Sequence, residues 1–485
     1  MLEGIAFTFT HCTSSRPEPV EECTLRDACV NTVFEPARSL PVYGEFDVVV
    51  VGGGPAGLAA SVSAAKHGAR VLLVERYGFL GGMGTAGGVT NFAGLYGRKN
   101  GEMRQVVHGV VDDLLARMAA MGGLNAPQDG MQGRIRVQAY DVSSLKCAAD
   151  QLLLASGVQI LFHAWAAAVV MQGSRIEALV VETKSGRMAI RATRFIDCSG
   201  DADIAHFAGA PYELGDGCGS GLYPTTMFRV GHVDSALALP AVGEFKAINN
   251  WMAKAQVAKP GQYHFPRDGA ILRPQKNPSE WRANVTQIGN ASGKAMDATD
   301  ARQLSDGELA GRQQVASYFQ FLRDEVPGFA NASIVDIAAQ IGVRETRRIQ
   351  GQYVLTGEDI LSSSRFDDAI GINAWPMELH AEGRVDWQFP HNWESGDSDN
   401  GRVYNDLPWR MLVPCKIHNL LVAGRCASMT NEGQSAARVS GACFAMGQAA
   451  GTAAATMSAA QSTADVDVKA LQKLLVQDGV YLDNE

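Results

Sequence analysis

Residues 46–75, FDVVVVGGGPAGLAASVSAAKHGARVLLVE, read as strand, glycine turn, helix and strand. Asp47 to Val51 carries four consecutive valines, the pattern of a parallel strand buried on both faces. Gly52-x-Gly54-x-x-Gly57 follows at once. Gly52 permits the tight turn, Gly54 lets the backbone approach a pyrophosphate, and Gly57 lets the helix pack close to the sheet. The helix that Pro55 and Ala56 open points its free N–H groups and positive dipole end at the phosphates. Leu58 to His67 is its alanine-rich body, and Gly68 ends it as a C-cap. Arg70 to Val74 is the second strand. Glu75 stands at its end, 75 − 57 = 18 residues past the last glycine, where an acid meets a ribose hydroxyl pair. The context predicts a dinucleotide site, and the motif alone does not separate NAD from FAD.

A second glycine-rich loop follows, from Arg76 through Gly81, Gly82, Met83, Gly84, Thr85 and Ala86 to Gly88. It offers backbone N–H groups at close range, which suits a long anionic cofactor. The loop resembles that of FAD-dependent oxidoreductases of the glutathione-reductase/fumarate-reductase superfamily. Its ERYGFLGGM…TAG pattern is similar to a bacterial FAD-dependent oxidoreductase family within it. The resemblance implies FAD, with Arg76, Gly82, Met83, Thr85 and Ala86 against the cofactor.

Composition marks a globular protein with a large core. The chain has 485 residues, 46% hydrophobic and 19% charged, enough for two domains or one large intertwined one. The net charge of −9 argues against a nucleic-acid partner, because no basic excess exists to neutralise phosphates. Nine scattered cysteines without a CxxC suggest a reducing compartment. The N-terminus lacks the basic and apolar regions of a signal peptide, and no apolar run is long enough to span a membrane. The expected address is the cytoplasm, and the composition leaves the oligomeric state open.

Along the chain, residues 1–39 read as an extension. Residues 98–121 carry a helical pattern, 122–133 a loop, and 141–156 a helix. Val158 to Phe162 reads as a strand, and Ala166–Val170 with Arg175–Thr183 as a hairpin. Arg194 to Asp197 is a short strand, and Cys198-Ser199-Gly200-Asp201 a small-residue turn into a helix. Residues 211–404 differ in texture, with five of the seven tryptophans and interrupted elements. Glu308 to Asp324 is helical there, and Ser333–Val343 and Gln352–Thr356 suggest strands around Arg344-Glu-Thr-Arg-Arg348. Gly217-Cys-Gly219-Ser-Gly221 follows no apolar strand, so no second dinucleotide site is evident. Leu420 to Ala423 reads as a buried strand, Ser435 to Ala455 as one long small-residue helix, and Asp467 to Gln477 as a last helix.

The stretch 198–201 resembles the second cofactor motif of these flavoproteins, and NLLVAGR followed by the GQAAG helix resembles their C-terminal flavin motif. The resemblance implies cofactor contacts at Ala166, Ser199, Gly200, Asp201, Gly424, Arg425, Ala437, Arg438 and Val439. A helix N-terminus at the flavin would stabilise negative charge on its reduced form. After AGRCAS the family pattern has Thr-His-Glu, whereas this chain has Thr430-Asn431-Glu432. Asn431 is therefore a candidate catalytic position, and its identity argues for FAD held without a covalent link.

Substrate oxidation needs a base within reach of the proton it removes. His380 is the first candidate and aligns with a histidine of the family pattern. His264 and His391 lie in the same region. On a strand, Arg344 and Thr346 would face one way, and Glu345 and Arg347 the other. An inward arginine could clamp a carboxylate, or the group could be an ion-pair cluster joining domains. Arg438 could hold flavin or substrate, or be a solvated helix end. No metal-ligand spacing or serine-nucleophile motif is present.

The expected fold is α/β, with a discontinuous Rossmann-type FAD domain built by residues 40–210 and 405–485 and an inserted α+β substrate domain at 211–404. The expected function is oxidation of a small organic substrate by hydride transfer to flavin N5, with reoxidation by oxygen, a quinone or a carrier protein. The alternatives are a C=C reductase of fumarate-reductase type or a flavoprotein acting on a macromolecule.

Overall fold

The first strand extends further back than the valine run, over Val42–Val51, and is the centre of a seven-stranded sheet. On one side lie Val71–Val74 and then Gln159–Leu161, both parallel to their neighbours. On the other lies Gly186–Asp197, also parallel. That strand forks. Residues 186–191 pair with the antiparallel hairpin Trp165–Gln172 and Arg175–Thr183. Residues 195–197 pair with Leu420–Val422, so the C-terminal part of the chain enters the middle of the sheet. The expected strand at 194–197 is thus the last third of a twelve-residue strand.

The computed structural model describes residues 33–243, 247–269, 271–394 and 401–483. Residues Met1–Leu40 and Pro41–Glu485 are separate units. The extension expected over 1–39 lies outside the described residues as far as residue 32. Residues 33–40 carry no regular element. Among the described residues, no helix is long and apolar enough to cross a membrane.

The helix Pro55–Lys66 starts after an extended Gly54 with proline in its first turn, where a missing N–H costs nothing. It packs against the helix Ser440–Thr456 with almost no gap. A Cβ at Gly447 would lie 2.0 Å from the Ala56 carbonyl oxygen, and one at Gly451 2.1 Å from that of Ala60. The two glycines, four residues apart, form a flat stripe onto which the first helix settles. Val48, Leu58, Val110, Leu114, Leu152, Ile370, Met411 and Ala449 join one core around this pair.

A second layer is an antiparallel sheet, ordered Ile271–Pro274, Trp281–Asn284, Phe228–Gly231 and Ser333–Ile337. The helices Ser235–Val242, Ala247–Ala258 and Ala301–Glu325 accompany it. Phe228, Trp281, Tyr318, Phe321 and Phe329 form its separate core. The hairpin Met377–Ala381 with Arg384–Gln388 completes the region.

Four local expectations need correction. Within 98–121 only Val110–Ala120 is helical. Tyr96–Lys99 and Glu102–Gln105 form a hairpin closed by Asn100-Gly101, both at positive φ, the turn that Asn-Gly favours. The 122–133 loop contains the strand Gln128–Gly130, paired with Ile135–Ala139. Beyond Ile337 the chain leaves the sheet; among the described residues the one strand before residue 356 is Arg348–Ile349, with isolated bridges at Gly342, Gly351 and Leu355. The long helix is two helices, Asn431–Ala437 and Ser440–Thr456, broken at Arg438-Val439. At the break the chain at Ala93 takes over hydrogen bonding. Its carbonyl accepts from Gly441 N–H at 2.9 Å and from the Ser440 hydroxyl at 3.0 Å.

Candidate active site

The carboxyl ends of the parallel strands face one cavity, lined there by Val51, Val74, Ala164, Cys198 and Ala423. This is where open α/β sheets hold ligands. The three motif glycines serve it differently. Gly52 has φ +98, and a Cβ there would lie 2.4 Å from the Cys198 carbonyl oxygen; one at Gly57 would lie 1.8 Å from that of Gly52. The protein's own packing demands both. Gly54 has φ −77, open to any residue, and its Cβ would meet nothing nearer than the Gly82 Cα at 3.6 Å. It lines the cavity at the helix N-terminus, so its bare backbone makes room for a ligand.

Glu75, 6% exposed, also lines the cavity. Its Oε2 accepts from Gly53 N–H at 2.7 Å and its Oε1 from Tyr77 N–H at 3.0 Å. Both oxygens are fixed by backbone, and a carboxylate keeps further lone pairs for hydroxyl donors. Arg76 donates to Gln340 at 3.0 Å and lies over the Tyr77 and Trp165 rings. Across the cavity, buried Asp197 folds the next turn. Its Oδ1 accepts from Ser199 N–H and hydroxyl at 3.0 and 2.6 Å, and its Oδ2 from Ala205 N–H at 3.0 Å.

Arg425 fastens this turn to the C-terminal strand. It donates to Gly200 O at 2.7 Å, Asp201 Oδ1 at 2.5 Å and Val343 O at 2.9 Å. Thr346 donates to the same Asp201 at 2.9 Å, and Arg347 to Asp203 at 3.1 Å. Residues 344–347 are not a strand, so the expected alternation fails. Thr346 and Arg347 both turn to residues 200–203, while Arg344 lines the cavity.

On the second-sheet side the cavity is lined by Glu378 and His380, on one strand at i and i+2 and hence on one face. His380 is 3% exposed, with Nε2 3.1 Å from Glu378 Oε1. Glu378 Oε2 accepts from the Trp375 indole at 3.1 Å and lies 3.9 Å from Arg438 Nη2. Burial by itself would raise the Glu378 carboxyl. The His380 hydrogen bond and the charges of His380, Arg438 and Arg344 outweigh it and hold it down to about 2. Burial, then the charge of Arg344, pushes His380 well below the usual imidazole value, with Glu378 only partly offsetting. Near neutral pH the pair therefore stands as an ionised Glu378 and a neutral His380, whose charge acts on the carboxylate only once the imidazole is protonated at lower pH. A carboxylate partner assigns the imidazole proton to Nε2 and leaves the Nδ1 lone pair as the basic site.

The cavity gathers most of the sequence-predicted residues: Gly52, Gly54, Pro55, Ala56, Glu75, Arg76, Gly82, Met83, Ala166, Ser199, Gly200, Gly424, Arg425, Arg438 and Val439, with Arg344 and His380. Gly57, Thr85, Ala86, Asp201, Ala437, Arg347 and Asn431 stand behind its wall. Thr85 donates to Leu80 O at 2.7 Å, and Asn431 to Glu345 Oε2 at 2.8 Å. Glu345 also pairs with Arg348. Sequence reasoning missed Glu378, Arg282 and Arg273. Glu-x-His on a strand was the available signal for the first. The two arginines carry none, because they sit in short strands of the second sheet.

These residues fit a pyrophosphate-linked dinucleotide with a ribose at Glu75, a flanking helix N-terminus at Ser440, and free space beyond for a substrate. The family model described as FAD dependent oxidoreductase matches residues 47–475, most of the chain. Short stretches are similar to dihydrolipoyl dehydrogenase of Trypanosoma brucei brucei, 49% identical over 45 residues, and to soluble pyridine nucleotide transhydrogenase of Chromohalobacter salexigens, 60% identical over 37. Each match spans less than a tenth of either protein: 9% of this chain and of the dehydrogenase, and 8% of this chain and of the transhydrogenase. Among solved structures, a geranylgeranyl bacteriochlorophyll reductase-like protein of Thermoplasma acidophilum is 11% identical with a TM-score of 0.43, over 91% of this chain and 81% of that one. The flavin-dependent brominase Bmp2 is 15% identical with a TM-score of 0.43, over 89% and 83%.

Proposed function

We propose that this chain, which belongs to the FAD-dependent oxidoreductase family, oxidises a small organic substrate held at the Glu378–His380 end of the cavity. FAD is the cofactor, and when bound it would supply a two-electron acceptor for a substrate C–H bond, with oxygen, a quinone or a carrier protein as the expected final acceptor. The remaining chemistry belongs to the side chains. His380 takes the proton released from the substrate heteroatom at Nδ1. Glu378 holds the imidazole in the required tautomer and stabilises the cation that forms, the role a buried carboxylate plays beside a catalytic histidine. Arg344 and Arg438 orient the substrate and favour negative charge developing on it.

We assign residues 40–210 and 405–485 to the cofactor side and 211–404 to the substrate side. Arg282, Arg344, Glu378, His380 and Trp387, all from the last segment, line one cavity with the glycine turn. FAD is held without a covalent link in this reading, because Asn431 stands where the family pattern has a histidine, and its amide donates to Glu345. The expected location is the cytoplasm.

The observation that carries the reading is the buried Glu378–His380 pair in the same cavity as the dinucleotide cradle. Anaerobic flavin reduction by substrate tests it. His380→Ala should slow that step about 10²-fold or more; a normal rate would remove His380 as the base. The reverse reaction, reduction of a C=C bond, is favoured by one observation, the guanidinium groups at the same end. It predicts flavin reoxidation by an unsaturated acid in the absence of oxygen.

A further inference from the structure

We propose that the substrate is an organic oxyanion, a carboxylate in the first instance, received by Arg282 together with Arg438 and Arg344. The inference rests on the preceding reading of which end of the cavity holds substrate.

Charge is heavily unbalanced there. Arg282, Arg344 and Arg438 all line the cavity. Of the cavity's carboxylates, Glu75 is tied to Gly53 and Tyr77, Asp203 pairs with Arg347, and Asp129 forms a bidentate pair with Arg136. Among the described residues, that leaves Glu378 to face these three arginines. Its charge acts on Arg282, Arg344 and Arg438 alike, so three guanidiniums share one carboxylate that His380 and Trp375 already occupy.

Arg438 Nη2 has the Glu378 carboxylate at 3.9 Å, but the hydrogen bonds these arginines make go to neutral partners. Arg282, 4% exposed, donates to the Val89 carbonyl and, with the amide turned to face it, to Asn91 Oδ1 at 3.0 Å. Among the described residues its Nε has no hydrogen-bond partner. Arg438 Nε is likewise unpartnered, while its Nη2 donates to the Glu378 carbonyl at 3.3 Å. Arg344 donates to Tyr223 O and Thr225 Oγ1, each at 2.6 Å. Burying a guanidinium without a counter-charge is costly, and a polar N–H left unmade adds to the cost.

Register makes the arrangement more costly still. Arg273 and Arg282 are directly opposite on the antiparallel strands Ile271–Pro274 and Trp281–Asn284, where like charges repel. Burial, with repulsion from Arg273, pushes Arg282 down to about 10, and burial with repulsion from Arg438 and Arg267 pushes Arg344 down. A carboxylate entering this end supplies the missing counter-charge, and the planar fork of a guanidinium matches it.

The test uses the purified holoenzyme. Succinate, benzoate and inorganic sulfate are titrated against the visible flavin spectrum, with succinamide and benzamide as uncharged controls, and melting midpoints are recorded in parallel. At least one oxyanion should perturb the spectrum saturably and raise the midpoint, and its amide should not. Arg282→Met should weaken that binding about tenfold or more, with Arg282→Lys in between. Should Arg282→Met fail to fold, Arg438→Met reads the same loss. Silence from every oxyanion, equal binding of the amides, or unchanged affinity in the methionine variant would overturn the proposal. His380→Ala separates the two readings. It should still bind the oxyanion, whereas loss of its reduction rate reports on the base alone.

Discussion

His380 Nε2 and Glu378 Oε1 lie 3.1 Å apart on one face of a five-residue strand, and both residues line the cavity that the glycine turn also lines. Removing the charge of the partner tests whether this pairing works in catalysis. Glu378→Gln keeps the shape but frees the imidazole to change tautomer. Anaerobic flavin reduction should slow about tenfold to 10²-fold, less than in His380→Ala. An unchanged rate in stopped-flow would make the pair structural.

The same pair predicts a pH signature. The imidazole is pushed well below its usual value by burial and Arg344, whereas the unfolded chain's histidine titrates near about 6.5. Below that pH the unfolded state binds the extra proton. The stability contributed by neutral His380 is therefore present above about 6.5 and is lost as pH falls below it. Glu378 acts in the same sense lower down. Its folded carboxyl is held to about 2 against burial by the His380 bond and the charges around it, so its contribution is present above the unfolded value of about 4.3 and lost as pH falls from there toward the folded one. Between about pH 7.5 and 5.5 the melting midpoint of the wild type should fall more steeply than that of His380→Gln. Parallel curves would contradict a neutral buried imidazole.

Two glycine substitutions should separate ligand from fold. Gly54→Ala places a methyl where only the Gly82 Cα lies within 4 Å, at 3.6 Å. The flavin-free protein should melt as before, but flavin should be lost on dialysis. Gly447→Ala drives a methyl against the Ala56 carbonyl at 2.0 Å and should cost about 1–3 kcal/mol, with flavin lost as a consequence. Scanning calorimetry with the flavin-to-protein absorbance ratio checks both. Destabilisation by Gly54→Ala would assign that glycine to the fold instead.

Glu75 should govern how firmly FAD is held. Replacing it by alanine removes acceptors of charged hydrogen bonds worth about 1.5–3 kcal/mol each, and also the anchor for Gly53 and Tyr77 N–H. Glu75→Gln is no isostere here, since its NH₂ would face one of those donors. Both variants should purify with less flavin, and acid precipitation of the wild type should release all of its flavin into solution. Unchanged occupancy, or yellow colour left in the pellet, would count against the account.

Much of the cofactor side was legible because backbone needs dictate it. A buried parallel strand, a glycine turn and an acid at a fixed distance each require particular residues at particular spacings. The substrate side was less legible because its contacts are non-local. Strand alternation left open whether an inward arginine clamps a carboxylate or the group is an ion-pair cluster, yet residues 344–347 are irregular and Arg347 pairs with Asp203. The break at Arg438-Val439 depends on Ala93, some 345 residues earlier, so helical periodicity ran through it. The Asn100-Gly101 hairpin was a different case. Its turn signal was present, and an apolar period C-terminal to it masked it.

The central claim is that an organic substrate, and no nicotinamide, reduces the flavin. Anaerobic mixing of the holoenzyme with NADH, NADPH and a panel of organic anions, followed by visible flavin absorbance, tests it most directly. The account predicts rapid bleaching by at least one organic anion and none by either nicotinamide over the same time. Rapid bleaching by NADPH or NADH, with the organic panel inert, would contradict it.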